Sequence, residues 1–177
     1  MPRTEIRIAG FGGQGVVLAG VIIGRAASGF DHKHATQTQS YGAEARGGQA
    51  RSEVVISDQP VDYPKVSRSD ILVAMSQDAV ARHIGQAKEG SVVLVDADLV
   101  QSVPDEAKYK VFRVPFTRIA HEELGRRIVA NIVMLGALVG LTGVVSMDAL
   151  RAATRESVPE RALELNMKAL DRGLAMA

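Results

Sequence analysis

The sequence predicts a three-layer α/β/α sandwich with a mostly parallel sheet, a Rossmann-like start and a helical C-terminal third. Three observations predict it: a strand, glycine turn and helix at the start, two aliphatic runs around residues 76–90, and helical patterns from residue 117 onward. A chain of 177 residues, 46% of them apolar, can bury a sizeable core. We therefore expect a single domain over residues 1–177.

The first β-α unit lies at the start of the chain. Residues 5–9 alternate charged and apolar side chains, which predicts a strand. Gly10, Gly12 and Gly15 follow with the G-x-G-x-x-G spacing, and residues 16–27 are apolar and small enough for a helix packed on a sheet. Dinucleotide-binding proteins use this spacing, but so does any tight strand-to-helix turn, so both interpretations remain open at this point.

A second β-α-β unit follows further along the chain. Residues 70–75 and 91–96 are short aliphatic runs, as in buried parallel strands. Between them, residues 76–90 are helix-like, and Gly90 is predicted to stop the helix. The spacing therefore fits a second β-α-β unit.

The C-terminal part is predicted to be one strand followed by helices. Residues 110–116 form a strand pattern that Pro115 ends, and Ser146 and Pro159 have the character of helix starts. Residues 128–145 are uncharged, but interrupting glycines make a buried helix of a soluble domain the favoured prediction over a membrane span.

Two glycines within that uncharged segment suggest close helix packing. Gly136 and Gly140 would share one helix face and allow another backbone to approach, either inside the domain or from another subunit. Thr142 and Gly143 are expected to end the helix.

The segment of residues 34–57 departs from this regular pattern. It is polar and carries Gly42, Gly47 and Gly48 around two arginines, before residues 52–56 resume a strand. We expect a long polar loop that returns to the sheet edge holding the first glycine turn, where open α/β sheets bind ligands.

Composition excludes several kinds of function. A formal net charge of +1 lacks the excess of positive charge that is expected for a protein that binds nucleic acid. The absence of cysteine excludes disulfides, thiolate zinc sites, a cysteine nucleophile and a conventionally ligated iron–sulfur cluster in this chain. No secretory signal is evident, so we expect a cytoplasmic protein that contacts no membrane.

Isolated polar residues give weaker indications. Asp31 has nearly the spacing of a ribose-binding carboxylate, but it precedes a strand instead of ending one, which disfavours a nicotinamide or flavin site. His32 and His34 lack a third metal ligand and are expected to face solvent, and His83 and His121 are expected on helix surfaces. The sequence contains no G-x-S-x-G motif of the kind that holds a nucleophilic serine.

Paired carboxylates are equally unspecific. Glu122 and Glu123 are expected to be solvated on a helix. Asp96, at the end of a strand, either contacts a ligand or caps the next element.

Residues 40–48 are the strongest candidate for anion binding. Arginine forks match phosphate and carboxylate, and glycines expose backbone N–H groups. The alternative is that Glu44, Arg46 and Arg51 bond to each other and only hold the loop together.

Several segments together resemble one known family, the gamma subunit of the 2-oxoacid:ferredoxin oxidoreductases, over nearly the whole chain. The order and spacing of the segments carry the resemblance, and the stretch SYGAEARGG is more similar to the 2-oxoglutarate branch than to the indolepyruvate branch. The segments are residues 10–16, 40–48, 70–79, 93–100 and 131–138.

The resemblance implies a non-catalytic subunit of a complex that oxidatively decarboxylates a 2-oxoacid with coenzyme A, giving acyl-CoA, carbon dioxide and reduced ferredoxin. It implies alpha, beta and delta subunits as partners, with thiamine diphosphate and iron–sulfur clusters held by them and none bound by this chain alone. The isolated chain is expected to be inactive and to self-associate, for instance as a homodimer. A free-standing protein that binds NAD or a flavin is the alternative.

The two glycine-containing loops are predicted to meet at one sheet edge, facing partner subunits and the phosphates or pantetheine arm of coenzyme A. Arg46, Arg51 and the start of the first helix would suit the phosphate charges. The candidate binding residues are Gly12, Gly13, Gln14, Gly15, Ser40, Tyr41, Glu44, Arg46, Gly47, Gly48 and Arg51, with no catalytic or metal-binding residue.

Overall fold

The computed structural model describes residues 3–44 and 47–177, and its centre is a six-stranded sheet with the order β2-β3-β1-β4-β5-β6. β1 pairs in parallel with β4, β4 with β5 and β5 with β6, whereas β3 is antiparallel to both of its neighbours. Five strands therefore run one way, which confirms the mostly parallel sheet. The strands are β1 (Arg3–Phe11), β2 (His34–Tyr41), β3 (Gln49–Ser57), β4 (Ser69–Ala74), β5 (Ala87–Asp96) and β6 (Lys110–Val114).

Helices cover both faces of the sheet unequally. α1, α4, α5 and α6 pack with the larger apolar cluster on one face, while α2 covers a smaller cluster on the other. Alternation along β1 divides its side chains between the two: Ile6 and Ile8 join the larger cluster and Ala9 the smaller one. The α-helices are α1 (Val16–Arg25), α2 (Gln77–His83), α3 (Phe116–Arg118), α4 (Ala130–Thr142), α5 (Met147–Ser157) and α6 (Leu163–Leu174).

Short π- and 3₁₀-turns extend or connect these elements. Two π-turns continue α1 and α3, and 3₁₀-turns lie before or after other elements. They are the π-turns Ala26–Phe30 and Ile119–Glu123 and the 3₁₀-turns Ile84–Gln86, Glu106–Lys108, Arg127–Val129 and Glu160–Ala162.

α4 accounts for the uncharged segment. It lies at the centre of the larger apolar cluster, with buried residues from Ala130 to Val139, and ends at Thr142 because Gly143 adopts a left-handed φ of 60°. Gly136 and Gly173 bring α4 and α6 together, since a Cβ on either would collide with the other helix's backbone. Over the described residues, no helix combines the length and the apolar character that a membrane crossing requires.

Two sequence expectations are corrected. The helix predicted over residues 76–90 ends at His83, and after one 3₁₀-turn β5 begins at Ala87. Gly90 therefore lies inside a strand, with a φ of 78°, and does not stop a helix. The pairing of β4 with β5 changes register between Ser69 and Ile71, and Gly90 lies in the irregular stretch of β5 between Ala87 and Val92, where glycine permits the positive φ.

The polar segment of residues 34–57 is a β-hairpin, not a long loop. β2 is an edge strand whose side chains are exposed or partly exposed, so polar residues are tolerated along it. The predicted strand over residues 52–56 lies within β3. Only residues 42–48 connect the two strands.

Candidate functional site

Two loops meet at the end of the sheet formed by the C-terminal ends of β1 and β2. The first, residues 12–15, joins β1 to α1, and the second, residues 42–48, joins β2 to β3. The amide of Gly12 donates to the carbonyl oxygen of Gly48 at 2.7 Å, and that of Gly42 donates to Gln49 at 2.7 Å. The first of these backbone hydrogen bonds joins the two loops, and the second closes the β2–β3 connection.

The side chain of Gln14 stabilises the first loop, to which it belongs, through two hydrogen bonds. Its Oε1 accepts the amide of Phe11 at 2.6 Å, and its Nε2 donates to the carbonyl oxygen of Met75 at 2.9 Å. The amide group thus joins the end of β1 to the end of β4. A Cβ on Gly10 would collide with it, so that glycine serves to make room for Gln14.

Gly15 is fixed by a contact from α4. It is the residue before α1, its φ is 74°, and the Nδ2 of Asn131 donates to its carbonyl oxygen at 3.2 Å. Asn131 is buried, and a Cβ on Gly15 would collide with its side chain. Asn131 is not among the site residues expected from the sequence, although it is a polar residue in an otherwise apolar run.

The two loops enclose a cavity of about 410 Å³ that we call the glycine cavity. Gly13 has a φ of 90° and Gly47 a φ of 66°, and a Cβ on either would meet open space. The amide of Gly13 donates to no described residue, so it is available to an anion beside the start of α1. The lining residues are Gly12, Gly13, Tyr41, Glu44, Gly47, Gly48 and Gln49.

A larger apolar cleft of about 570 Å³ adjoins the glycine cavity and shares Gly12, Gly13 and Tyr41 with it. Arg126 and Arg161 lie on its lining, together with apolar residues of α1 and α6. Sequence reasoning missed this cleft because its walls come from segments about a hundred and more residues apart.

A polar pocket of about 70 Å³ lies on the α2 side of the sheet and contains Ser40, Arg51 and His83. The Nε of Arg51 is 3.4 Å from the Oε1 of Glu53, which also pairs with buried Arg7 at 2.8 Å. Burial, followed by the charges of Arg7 and Arg51, lowers the pKa of His83 from 6.5 to about 4. His83 lies at the end of α2, as expected, and is only partly exposed, with its Nδ1 buried and without a partner among the described residues.

The predicted site residues therefore fall into distinct groups. Six of them line the glycine cavity: Gly12, Gly13, Tyr41, Glu44, Gly47 and Gly48. Gln14 and Gly15 support the first loop, and Ser40 and Arg51 line the polar pocket, which shares Tyr41 and Gln49 with the glycine cavity. Arg46 lies outside the described residues. The ion pair formed by Arg51 is with Glu53, not with the loop residue Glu44.

The weaker candidates from the sequence have structural partners. Asp31 accepts the amide and the hydroxyl of Ser146, both at 2.6 Å, so it holds the start of α5. Buried Asp96 accepts the amides of Asp98 and Thr117 and thus caps the next elements. His32 and His34 are exposed, and residues 3–44 and 47–177 hold no group of three or more potential metal ligands.

Known proteins are similar to this chain in sequence and in fold. The family model described as pyruvate ferredoxin/flavodoxin oxidoreductase matches residues 5–176. A relative from Methanocaldococcus jannaschii, named 2-oxoglutarate synthase subunit KorC, is 55% identical over 177 residues, covering 99% of this chain and 94% of the relative.

Two solved structures have the same fold. The gamma subunit of keto/oxoacid ferredoxin oxidoreductase from Geobacter sulfurreducens PCA has a TM-score of 0.91 and 48% identity, covering 99% of this chain and 97% of that one. The 2-oxoglutarate:ferredoxin oxidoreductase from Magnetococcus marinus, solved with 2-oxoglutarate, coenzyme A and succinyl-CoA bound, has a TM-score of 0.85 and 25% identity. All of this chain matches 31% of that longer one.

These matches confirm the resemblance found in the sequence and disfavour the free-standing NAD- or flavin-binding protein. The family match spans almost every residue, and the Methanocaldococcus and Geobacter proteins correspond to this chain over nearly their full length. The chain belongs to the pyruvate ferredoxin/flavodoxin oxidoreductase family.

Proposed function

We propose that this chain is the gamma subunit of a cytoplasmic complex that oxidises 2-oxoglutarate. The complex would convert 2-oxoglutarate and coenzyme A to succinyl-CoA and carbon dioxide. The C1–C2 bond breaks, a thioester forms at C2, and the two electrons released reduce two ferredoxins, with one proton leaving. The name and 55% identity of the Methanocaldococcus relative support the choice of 2-oxoglutarate among 2-oxoacids.

The iron–sulfur clusters and thiamine diphosphate of this proposal belong to partner subunits of the alpha, beta and delta type. The chain has no cysteine to ligate a cluster, so its donor set does not fit one. No step of the reaction is therefore assigned to its side chains. Its contribution is to bind and position, as protein groups do around a reactive cofactor.

Coenzyme A is the ligand that we propose for the glycine cavity. The main support for this is the pairing of two glycine-rich loops, joined by the hydrogen bond from Gly12 to Gly48, beside the start of α1. An exposed backbone amide at Gly13 suits a phosphate oxygen of coenzyme A. The hypothesis that Arg46 and Arg51 hold phosphates stays a prediction.

The first experiment is to purify the tagged chain anaerobically from its native cells. The eluate is assayed for coenzyme A-dependent reduction of a viologen dye by 2-oxoglutarate, pyruvate and branched 2-oxoacids. Companion subunits and turnover with 2-oxoglutarate alone are expected. Turnover with another acid would refute the substrate, and a solitary inactive chain would refute the subunit role.

The coenzyme A contact has a matched pair of variants at Gly13. Gly13→Asp places a carboxylate in open space at the glycine cavity, and Gly13→Asn adds the same volume without charge. The negative carboxylate of the Asp variant would repel a phosphate of coenzyme A. The KM for coenzyme A should therefore be about tenfold higher in the Asp variant than in the Asn variant, while the KM for 2-oxoglutarate is unchanged. Equal KM values for coenzyme A in the two variants would refute the contact.

A further inference from the structure

Exposed apolar side chains are concentrated at the end of the sheet that carries the two loops. Seven large apolar residues are exposed among those described, and five of them line the cavities at this end. Ile128 is 75% exposed and Tyr41 is 63% exposed. The five are Phe11, Leu18, Tyr41, Leu99 and Ile128, which we call the apolar edge.

The apolar edge is one continuous surface. The apolar cleft and a neighbouring cleft of about 380 Å³ both contain Gly13 and Ile128, and Leu99 lies in the second. Tyr41 joins the apolar cleft to the glycine cavity. A contiguous apolar surface around a binding cleft is characteristic of a site for another protein or a ligand.

The charged residues that line the two apolar clefts are arginines, while Glu44 lines the adjoining glycine cavity. Arg126 and Arg161 line the apolar cleft, and Arg127 lines the neighbouring one. All three are exposed, and within the described parts of the chain none forms an ion pair. Arginine together with aromatic and aliphatic residues is the composition enriched in the cores of protein interfaces.

We infer that the apolar edge, with Arg126, Arg127 and Arg161, docks a larger chain of the same complex through an apolar surface bordered by carboxylates. This rests on the proposed subunit role. In the Magnetococcus protein the matched part is 31% of one longer chain, so a domain of this fold is there joined to the remaining domains. The Methanocaldococcus relative is named a subunit and is matched over 94% of its length, so a protein of that kind associates with other chains by contact.

Charge decides between this occupant and a second copy. In a two-fold dimer the same patch meets itself, and three unpaired arginines from each copy would be brought together. A partner with Asp or Glu at the border would instead neutralise them and increase the association rate at low salt.

The test uses the complete complex, with the tag on the larger chain and this chain supplied separately. Ile128→Asp and the double variant Arg126→Glu/Arg127→Glu alter the edge. Tyr63→Asp and Lys65→Glu are matched controls, because both residues are exposed near Arg3, at the opposite end of the sheet. We expect at least about tenfold weaker association for the edge variants and unchanged association for the controls.

Three further readouts make the result decisive. Unchanged thermal midpoints separate lost docking from misfolding, and the double arginine variant should lose the salt dependence of association. Edge variants that assemble like the wild type, or a wild-type homodimer that Ile128→Asp dissociates, would overturn the inference. Wild-type assembly into a complex specific for another 2-oxoacid would refute the proposed substrate and leave the docking surface standing.

Discussion

The two ends of the parallel strands are completed in opposite ways. At the end where β1 starts, the Glu5 carboxylate accepts the amides of Ser67 and Arg68 at 2.9 and 3.2 Å, and Asp70 accepts the amide of Glu5 and pairs with Lys88. At the end where β1 stops, glycine amides, apolar side chains and arginines are exposed.

This difference shows at which end of the sheet the chain itself supplies hydrogen-bond partners for its polar groups. The Glu5 and Asp70 carboxylates at the first end find partners within the fold, so these groups contribute to stability without a ligand. At the loop end the amide of Gly13 and the side chains of Arg126, Arg127 and Arg161 lack such partners among the described residues, and exposed apolar side chains lie beside them. Four variants sharpen the comparison by separating residues that support the fold from residues available to a ligand or partner.

The largest loss of stability is expected from Glu53→Ala. Arg7 is buried opposite Glu53 on β1, and removal of the carboxylate leaves its charge with only the neutral acceptors Gln86 and the Val66 carbonyl. We expect the free energy of unfolding in urea to fall by about 3–5 kcal/mol.

The exposed pair between Asp78 and Arg82 provides the control. Asp78→Ala should cost no more than about 1 kcal/mol. Similar losses for the two variants would show that the buried pair does not differ from a surface pair.

Within the first loop, Gly15→Ala should destabilise the fold more than Gly13→Ala. Both positions have positive φ, but only Gly15 faces the Asn131 side chain. Strain and overpacking together should cost about 3 kcal/mol at Gly15, and strain alone about 1–2 kcal/mol at Gly13. Urea unfolding of both variants measures this, and equal losses would contradict the assigned support by Asn131.

Gln14→Ala should cost about 1–2 kcal/mol, because the amide of Phe11 and the carbonyl of Met75 both lose a partner. Gln39→Ala, at an exposed position of β2, is the control and should change the free energy of unfolding by less than about 0.5 kcal/mol. Thermal and urea unfolding check this difference. An unaffected Gln14 variant would mean that its side chain is free to contact a ligand.

The smallest effect is expected in the pH dependence of unfolding. The folded-state pKa of His83 is about 4, below its ordinary 6.5, so folding favours the neutral ring. The unfolded chain binds more protons between these values, and the contribution of His83 is full above pH 6.5 and is lost as the pH falls toward 4.

Replacement of the ring tests this dependence. His83→Gln should lose less free energy of unfolding than the wild type between about pH 7 and about pH 4. Parallel pH profiles would show that Arg7, Arg51 and burial do not act on this ring. Because His83 is only partly buried, solvent screening keeps the difference modest.

The sequence by itself determined the alternating strands, the glycine turn, the capped helix starts and the family. The strands, the turn and the helix starts depend on local periodicity and on the φ values that few residues other than glycine adopt. The family depends on the order and spacing of segments, and all of these can be read along a chain. Ser146 and Gly143 bound their helices as predicted, because capping involves only neighbouring residues.

Only the tertiary structure decided what the candidate site residues do. Arg51 and Gly12 are close in the predicted loop pair, but strand alternation places Arg51 on the α2 side with Glu53. Asn131 supports Gly15 across 116 positions of sequence, and Ile128 and Arg161 reach the apolar cleft from separate elements. Contacts of this kind follow from how the layers pack, which no local pattern records.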